Sequence, residues 1–280
     1  MAAISLEVYL LVLLAALLHA SWNAIIKSGD STSLDTVALT IAAALFSAVV
    51  LPFIPLPAPA SWPWLAASVA LHVAYFLLLG AVYRIGDLSH VYPLMRGLAP
   101  MLVALAGALF LNESLGIMVW AGIGLICAGI LLPVLRHGGA LHGRATPLAL
   151  LIALIIASYT LVDGYGTRVS GNSLSYCLWM FLLEAPPLVL VAWCFERAQL
   201  WSYCRIYWRR AAAGGLCVLG SYSIALWAML GVPIAAVAAL RESSVLFAAL
   251  IGCLLLKERL GGWRIAGAAI IAAGMALLRL

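Results

Sequence analysis

Charge is what this chain has least of. Only 9% of its 280 residues are charged, and just two are lysine. A soluble domain carries about 25% charged residues. With 66% hydrophobic residues and a mean hydropathy of +1.15, the composition excludes an ordinary soluble core. Strict polar–apolar alternation is also missing, which excludes a membrane β-barrel. The motif G-x-x-x-x-G-K-[ST] is absent, which argues against ATP-driven chemistry within this chain. No H-x-x-x-H pair or carboxylate cluster suggests a metal, and no cofactor is expected. The six cysteines (127, 177, 194, 204, 217 and 253) follow neither disulfide nor ligand spacing. The first apolar run has no basic residues before it and outlasts a signal-peptide core, so it reads as a retained span.

What is present is a series of apolar runs, each about 20 residues long, the length that crosses a bilayer as a helix. Ten are predicted: 6–26, 34–54, 64–84, 88–111, 115–135, 147–167, 174–195, 209–229, 233–256 and 262–279. The connections are short, the longest polar one being 196–210, so no soluble domain fits between them. Backbone groups in lipid must bond internally. The fold class is therefore an all-α integral membrane protein with ten transmembrane helices.

The chain also repeats itself. Residues 86–135 and 231–280 align without a gap at an offset of 145, with 17 of 50 pairs identical. Arg96 matches Arg241, Glu113 matches Glu258, and five glycines stay in register. More weakly, HASWNAIIK (19–27) echoes IASYTLVDG (156–164). The expected domains are 1–140 and 141–280. Five spans per half force the halves into opposite orientations, giving two inverted five-helix repeats. Such repeats build alternating access around a midplane site. Apart from Arg96 and Arg241, the basic residues fall mostly in the connections that would be cytoplasmic if both termini are outside. The net charge of +5 reflects these anchors rather than a nucleic-acid surface.

Arg96 lies nine residues into its span, about 12 Å deep. Arg241 holds the equivalent place. Facing lipid, each would cost about 2.5–3.5 kcal/mol, so both should face protein or a watery cavity. Two readings stand side by side: attraction of a substrate carboxylate, or a structural lock against an acid. Glu242 adjoins Arg241, but consecutive helical residues point apart. Asp163, Glu184 and Glu242 are candidate proton carriers or arginine partners. Pro93 and Pro100 predict a kink or hinge in 88–111. His19, Trp22 and Asn23 share a helix face. His72, Tyr75 and Tyr83 decorate the third span, and His90 and Tyr92 the fourth. Tyr159, Tyr176, Trp179 and Trp227 complete the candidate cavity lining, while Trp62, Trp64 and Trp201 fit interfacial belts. Glu113 and Glu258 are expected to fix short turns or pair with arginine. Gly122, Gly129, Gly267 and Gly274, seven apart within their helices, predict close helix approach.

The two five-span halves, the repeated R-x16-E-x-L and the glycine-rich closing helices resemble the drug/metabolite transporter superfamily, in its ten-helix EamA-repeat branch. GDLSHVYPLMRG (86–97) with HASWNAIIKSGD resembles a subgroup of phosphonate-utilisation-associated membrane proteins. The branch includes an aromatic amino-acid exporter. The resemblance implies four helices of each half around a central cavity, with the fifth, 115–135 or 262–279, packed away from it. It also implies both termini in the cytoplasm, opposite to the charge bias. The expected function is secondary transport, exporting small amphipathic metabolites, amino acids first, from a bacterial inner membrane. Phosphonates or sugar-like compounds are the alternative cargo, and a structural or receptor protein the alternative class. An enzyme is not expected. The expected partners are a small-molecule substrate and membrane lipids, not nucleic acid, with the chain a monomer or weak homodimer.

Overall fold

A computed structural model describes residues 4–85, 88–136, 145–255 and 261–279, with the side chains of 83, 84, 88–90, 197, 198, 254 and 255 left aside. Among the described residues all regular structure is helical. The elements are α1 (Leu6–Lys27), α2 (Thr32–Val50), α3 (Trp62–Ile85), α4 (Leu88–Phe110), α5 (Ile117–Arg136), α6 (Thr146–Val169), α7 (Ser173–Ile206), α8 (Trp208–Ala228), α9 (Ile234–Arg241), α10 (Ser244–Leu255) and α11 (Gly262–Arg279). Ten described segments are long and apolar enough to span a membrane, α9 and α10 together forming one of them.

Short polar side chains start several helices. Ser5, Ser31 and Asn172 each accept a hydrogen bond from a backbone N–H in the first turn of α1, α2 and α7. The turn into α7 passes through Gly171 at φ +70°, a conformation glycine adopts freely.

Two boundaries differ from expectation. The segment 196–210, expected as a polar connection, is largely helical: α7 kinks at Glu196 (φ −133°, ψ 24°) and continues to Ile206. The ninth span, expected as one helix over 233–256, breaks between Arg241 and Ser244. There the amides of Glu242 and Ser243 turn to the carbonyls three residues back, Ala239 and Leu240, at 3.0 and 3.1 Å. Such tightening ends an α-helix locally. α4 runs as one helix from Leu88 to Phe110 with Pro93 and Pro100 inside it.

The peripheral pair α5 and α11 packs more extensively than any other pair. A Cβ on Gly129 would lie 2.7 Å from the Gly267 carbonyl oxygen, and one on Gly122 would lie 2.9 Å from that of Gly274. The glycine spacing thus sets backbone against backbone. Trp62 and Trp64, expected in an interfacial belt, instead pack inward on Trp179 and Tyr165, with ring centroids 5.2 and 4.6 Å apart. Trp201 does stand exposed.

Candidate functional site

A buried ion pair joins the two halves. Arg96 of α4 meets Glu242, at the break after α9, with nitrogen and oxygen 3.0 Å apart. Both residues are buried. The break matters here: it lets Glu242 turn toward the first half while Arg241, next in chain, points elsewhere. Arg96 also donates to His19 Nε2 at 3.3 Å. A guanidinium only donates, so His19 accepts on a bare Nε2 and carries its proton on Nδ1. His19 in turn sets its ring edge-on to Trp22, 5.0 Å between centroids.

Arg241 is held differently. Its guanidinium lies over the ring of Tyr222, 5.1 Å from the centroid. Among the described residues it makes no ion pair, and its Nε finds no hydrogen-bond partner. Oε2 of Glu242 and Nε of Arg96 are likewise buried without a partner. Buried polar atoms are normally satisfied, so each such atom asks for a ligand or water.

These groups surround a small cavity. Arg96, Tyr159, Thr160, Arg241 and Glu242 supply its polar wall, and Ala99, Pro100, Val103, Ile156 and Ala238 its apolar one. Its volume of about 20 Å³ holds one or two waters. The centre is therefore drawn together around the Arg96–Glu242 pair rather than open. Pro100 has no N–H for the Arg96 carbonyl, which leaves that oxygen without its helix partner beside the cavity.

A second polar cluster lies behind the cavity. Asp163 of α6 is fully buried. It accepts hydrogen bonds from the hydroxyls of Tyr176 (3.2 Å) and Tyr222. His72 stacks on Tyr159 at 4.2 Å, and its Nδ1 lies 3.0 Å from the Ser68 carbonyl. Glu184 is buried on α7 in the same region.

Other candidates fall as follows. Tyr75 stands edge-on to Tyr159, 6.0 Å between centroids, and Tyr92 is half-buried on α4 near the ion pair. Asn23 donates back to the carbonyl of His19 within α1. Trp179 packs on Trp62 and does not line the cavity. Trp227 is a correction: it is exposed, because the inward face of α8 runs through Tyr222, Ala225 and Leu226. At 100° per residue, position 227 points away from that face. The side chains of Tyr83 and His90, and all of Glu258, lie outside the described residues.

Glu113 and Arg168 form a separate tie. Glu113, just past α4, pairs with Arg168 at 2.7 Å and accepts the amide of Ile234, the first residue of α9, at 3.1 Å. Arg168 also donates to the carbonyls of Met229 and Val232. At the opposite end of the helices, Arg210 of α8 bonds Asp35 of α2 and the carbonyl of Ile25, both at 2.9 Å. Tyr222, Ser68 and this second tie were not singled out in the sequence. Tyrosine and serine are common in apolar helices, and nothing in their spacing marks them.

Ten membrane-length helices around a buried ion pair and a polar cavity define a multi-pass membrane protein with its chemistry at the centre. The chain belongs to the EamA-like transporter family, whose pattern matches residues 6–135 and again 144–280. A Sinorhizobium protein known as an uncharacterized transporter in the cobO 3′ region is 39% identical over 72 residues, 26% of this chain. The matched stretch spans about half the length of that relative. A protein of known crystal structure shares the fold with a TM-score of 0.72 at 18% identity, over 97% of this chain and 96% of that one.

Proposed function

We propose that this transporter carries amino acids by alternating access around the Arg96–Glu242–Arg241 centre, moving them out of the cell. The observation that carries the reading is a pair of opposite charges with spare bonding capacity on one cavity. Among the described residues Arg241 makes no ion pair, and Glu242 keeps one oxygen unbonded. A zwitterion offers a carboxylate to the first and an ammonium to the second, and charge-assisted bonds are the strong ones. The Arg96–Glu242 pair closes the site when it is empty; a bound ammonium competes with Arg96 for Glu242 and loosens the link between the halves. Outward movement is the direction implied by the family resemblance. The inverted repeat supports two-sided access, since each half supplies one arginine at the same depth.

The test is counterflow of radiolabelled amino acids in proteoliposomes. Wild type is expected to exchange at least one amino acid well above empty vesicles. Arg241→Ala and Glu242→Gln should each reduce exchange at least about tenfold, the loss of one charge-assisted contact of about 1.5–3 kcal/mol. Absence of exchange for all standard amino acids would overturn the reading.

A further inference from the structure

We propose that Asp163 is the site of a transported proton, bound together with the substrate and linked to it through Tyr222. This rests on the amino-acid reading above and adds the coupling ion and its residue.

The buried acids differ in their partners. Glu113, Asp35 and Glu242 each meet an arginine. An arginine only donates, so those three acids are held as carboxylates. Asp163 is different: its bonds come from the hydroxyls of Tyr176 and Tyr222. A hydroxyl both donates and accepts. The same two groups therefore satisfy Asp163 as a carboxylate and, with one O–H reversed, as a carboxylic acid. The site is built to hold either form without losing its bonds.

An acid held this way can take up and release a proton in place.

The groups facing Asp163 decide where it sits. They are His72 from α3, Tyr176, Cys177 and Glu184 from α7, Tyr222 from α8 and, across the Tyr222 ring, Arg241 from α9. His72 already donates Nδ1–H to the Ser68 carbonyl, since a carbonyl only accepts. Glu184 has no hydrogen bond or ion pair to any of the cavity residues among those described. Of Asp163 and Glu184, it is Asp163 that is joined to the substrate site by a continuous path among the described residues: Arg241 over the Tyr222 ring, and the Tyr222 hydroxyl on Asp163. A substrate carboxylate landing on Arg241 cancels the cation that faces Asp163 across the Tyr222 ring, which favours a proton on Asp163. Substrate and proton thus bind together and cross together. Export runs down the amino acid's own gradient and takes one proton out with it.

The test uses wild-type protein and two variants in proteoliposomes, with a lumenal pH dye and the amino acid found to exchange. Loading the lumen and starting efflux should make the lumen alkaline. A one-unit gradient, acid outside, should support accumulation up to about tenfold, the equivalent of one proton per substrate. Asp163→Asn, which fixes the neutral form, should lose both the lumenal pH change and the gradient-driven accumulation, whatever counterflow remains. Glu184→Gln should keep all three. Tyr222→Phe keeps the ring under Arg241 but removes the hydroxyl, and should shift the pH dependence of uptake; this variant carries the test should Asp163→Asn not fold. Wild-type efflux without proton movement, or proton coupling lost in Glu184→Gln and kept in Asp163→Asn, would overturn the inference while leaving amino-acid transport standing. No exchange by any form would sink the functional reading itself.

Discussion

Arg96 and Glu242 are each other's main compensation for burial. Removing one partner leaves an uncompensated charge and is expected to cost about 3–5 kcal/mol, whereas replacing both with apolar residues of similar size is often neutral. Arg96→Met and Glu242→Met should therefore each lower the thermal midpoint in detergent, while the double variant should recover most of the loss. The double variant should still fail in counterflow, because the ammonium site has gone. At this scale the sequence was a good guide to the arginines, since a charge inside an apolar repeat stands out. It said little about how they pair. The offset of 145 identifies equivalent residues, not residues in contact, and Arg96 meets the neighbour of its equivalent. Trp227 was misplaced for a related reason: aromatic identity names a candidate, but only the phase of α8 decides which way it points.

Among the helices, proline proved a poorer marker of interruption than the arrangement of polar groups. α4 runs as one helix through Pro93 and Pro100. The proline-free stretch of the ninth span breaks instead, where Arg241, Glu242, Ser243 and Ser244 all need partners that one continuous helix face would not offer. Local propensity reads the loss of a hydrogen bond, and that loss is tolerated when other helices pack around it. The glycines were legible, because a spacing of seven repeats one face every two turns. A side chain at Gly129 would run into the backbone of Gly267 and Ile271 and into the Ile271 side chain. Gly129→Leu is therefore expected to destabilise the protein by about 1–3 kcal/mol or more. Thermal unfolding compared with Gly124→Leu, where a Cβ meets open space, would isolate the effect.

For the whole molecule, the ten spans and the two halves could be read in advance because bilayer thickness dictates helix length and the repeat dictates the rest. The ties at the two ends could not, as they join residues 55 to 175 positions apart. Those ties also bear on orientation. Successive spans alternate ends, so Lys27, Arg136, Arg205, Arg209, Arg210 and Arg264 gather at the end of the Asp35–Arg210 tie. The other end holds Arg168, already engaged by Glu113, and Arg279. Basic residues favour the cytoplasm. A phosphatase fused after Leu280 is expected to be active and a fluorescent reporter there dark; the reverse result would place both termini inside. Glu113→Ala should lower the thermal midpoint by the equivalent of about 1–2 kcal/mol, as the start of α9 loses its cap.

The seam between α5 and α11 has a consequence for any movement of the carrier. Peptide rests on peptide there, with Ile126, Ile271 and Leu278 wedged alongside and little slack to slide through. Such a joint does not flex by repacking. It acts as a keel that travels as one piece, and the remaining helices must swing against it. Distance labels placed across α5 and α11 should read the same in every state of the transport cycle, giving a fixed ruler for the parts that move.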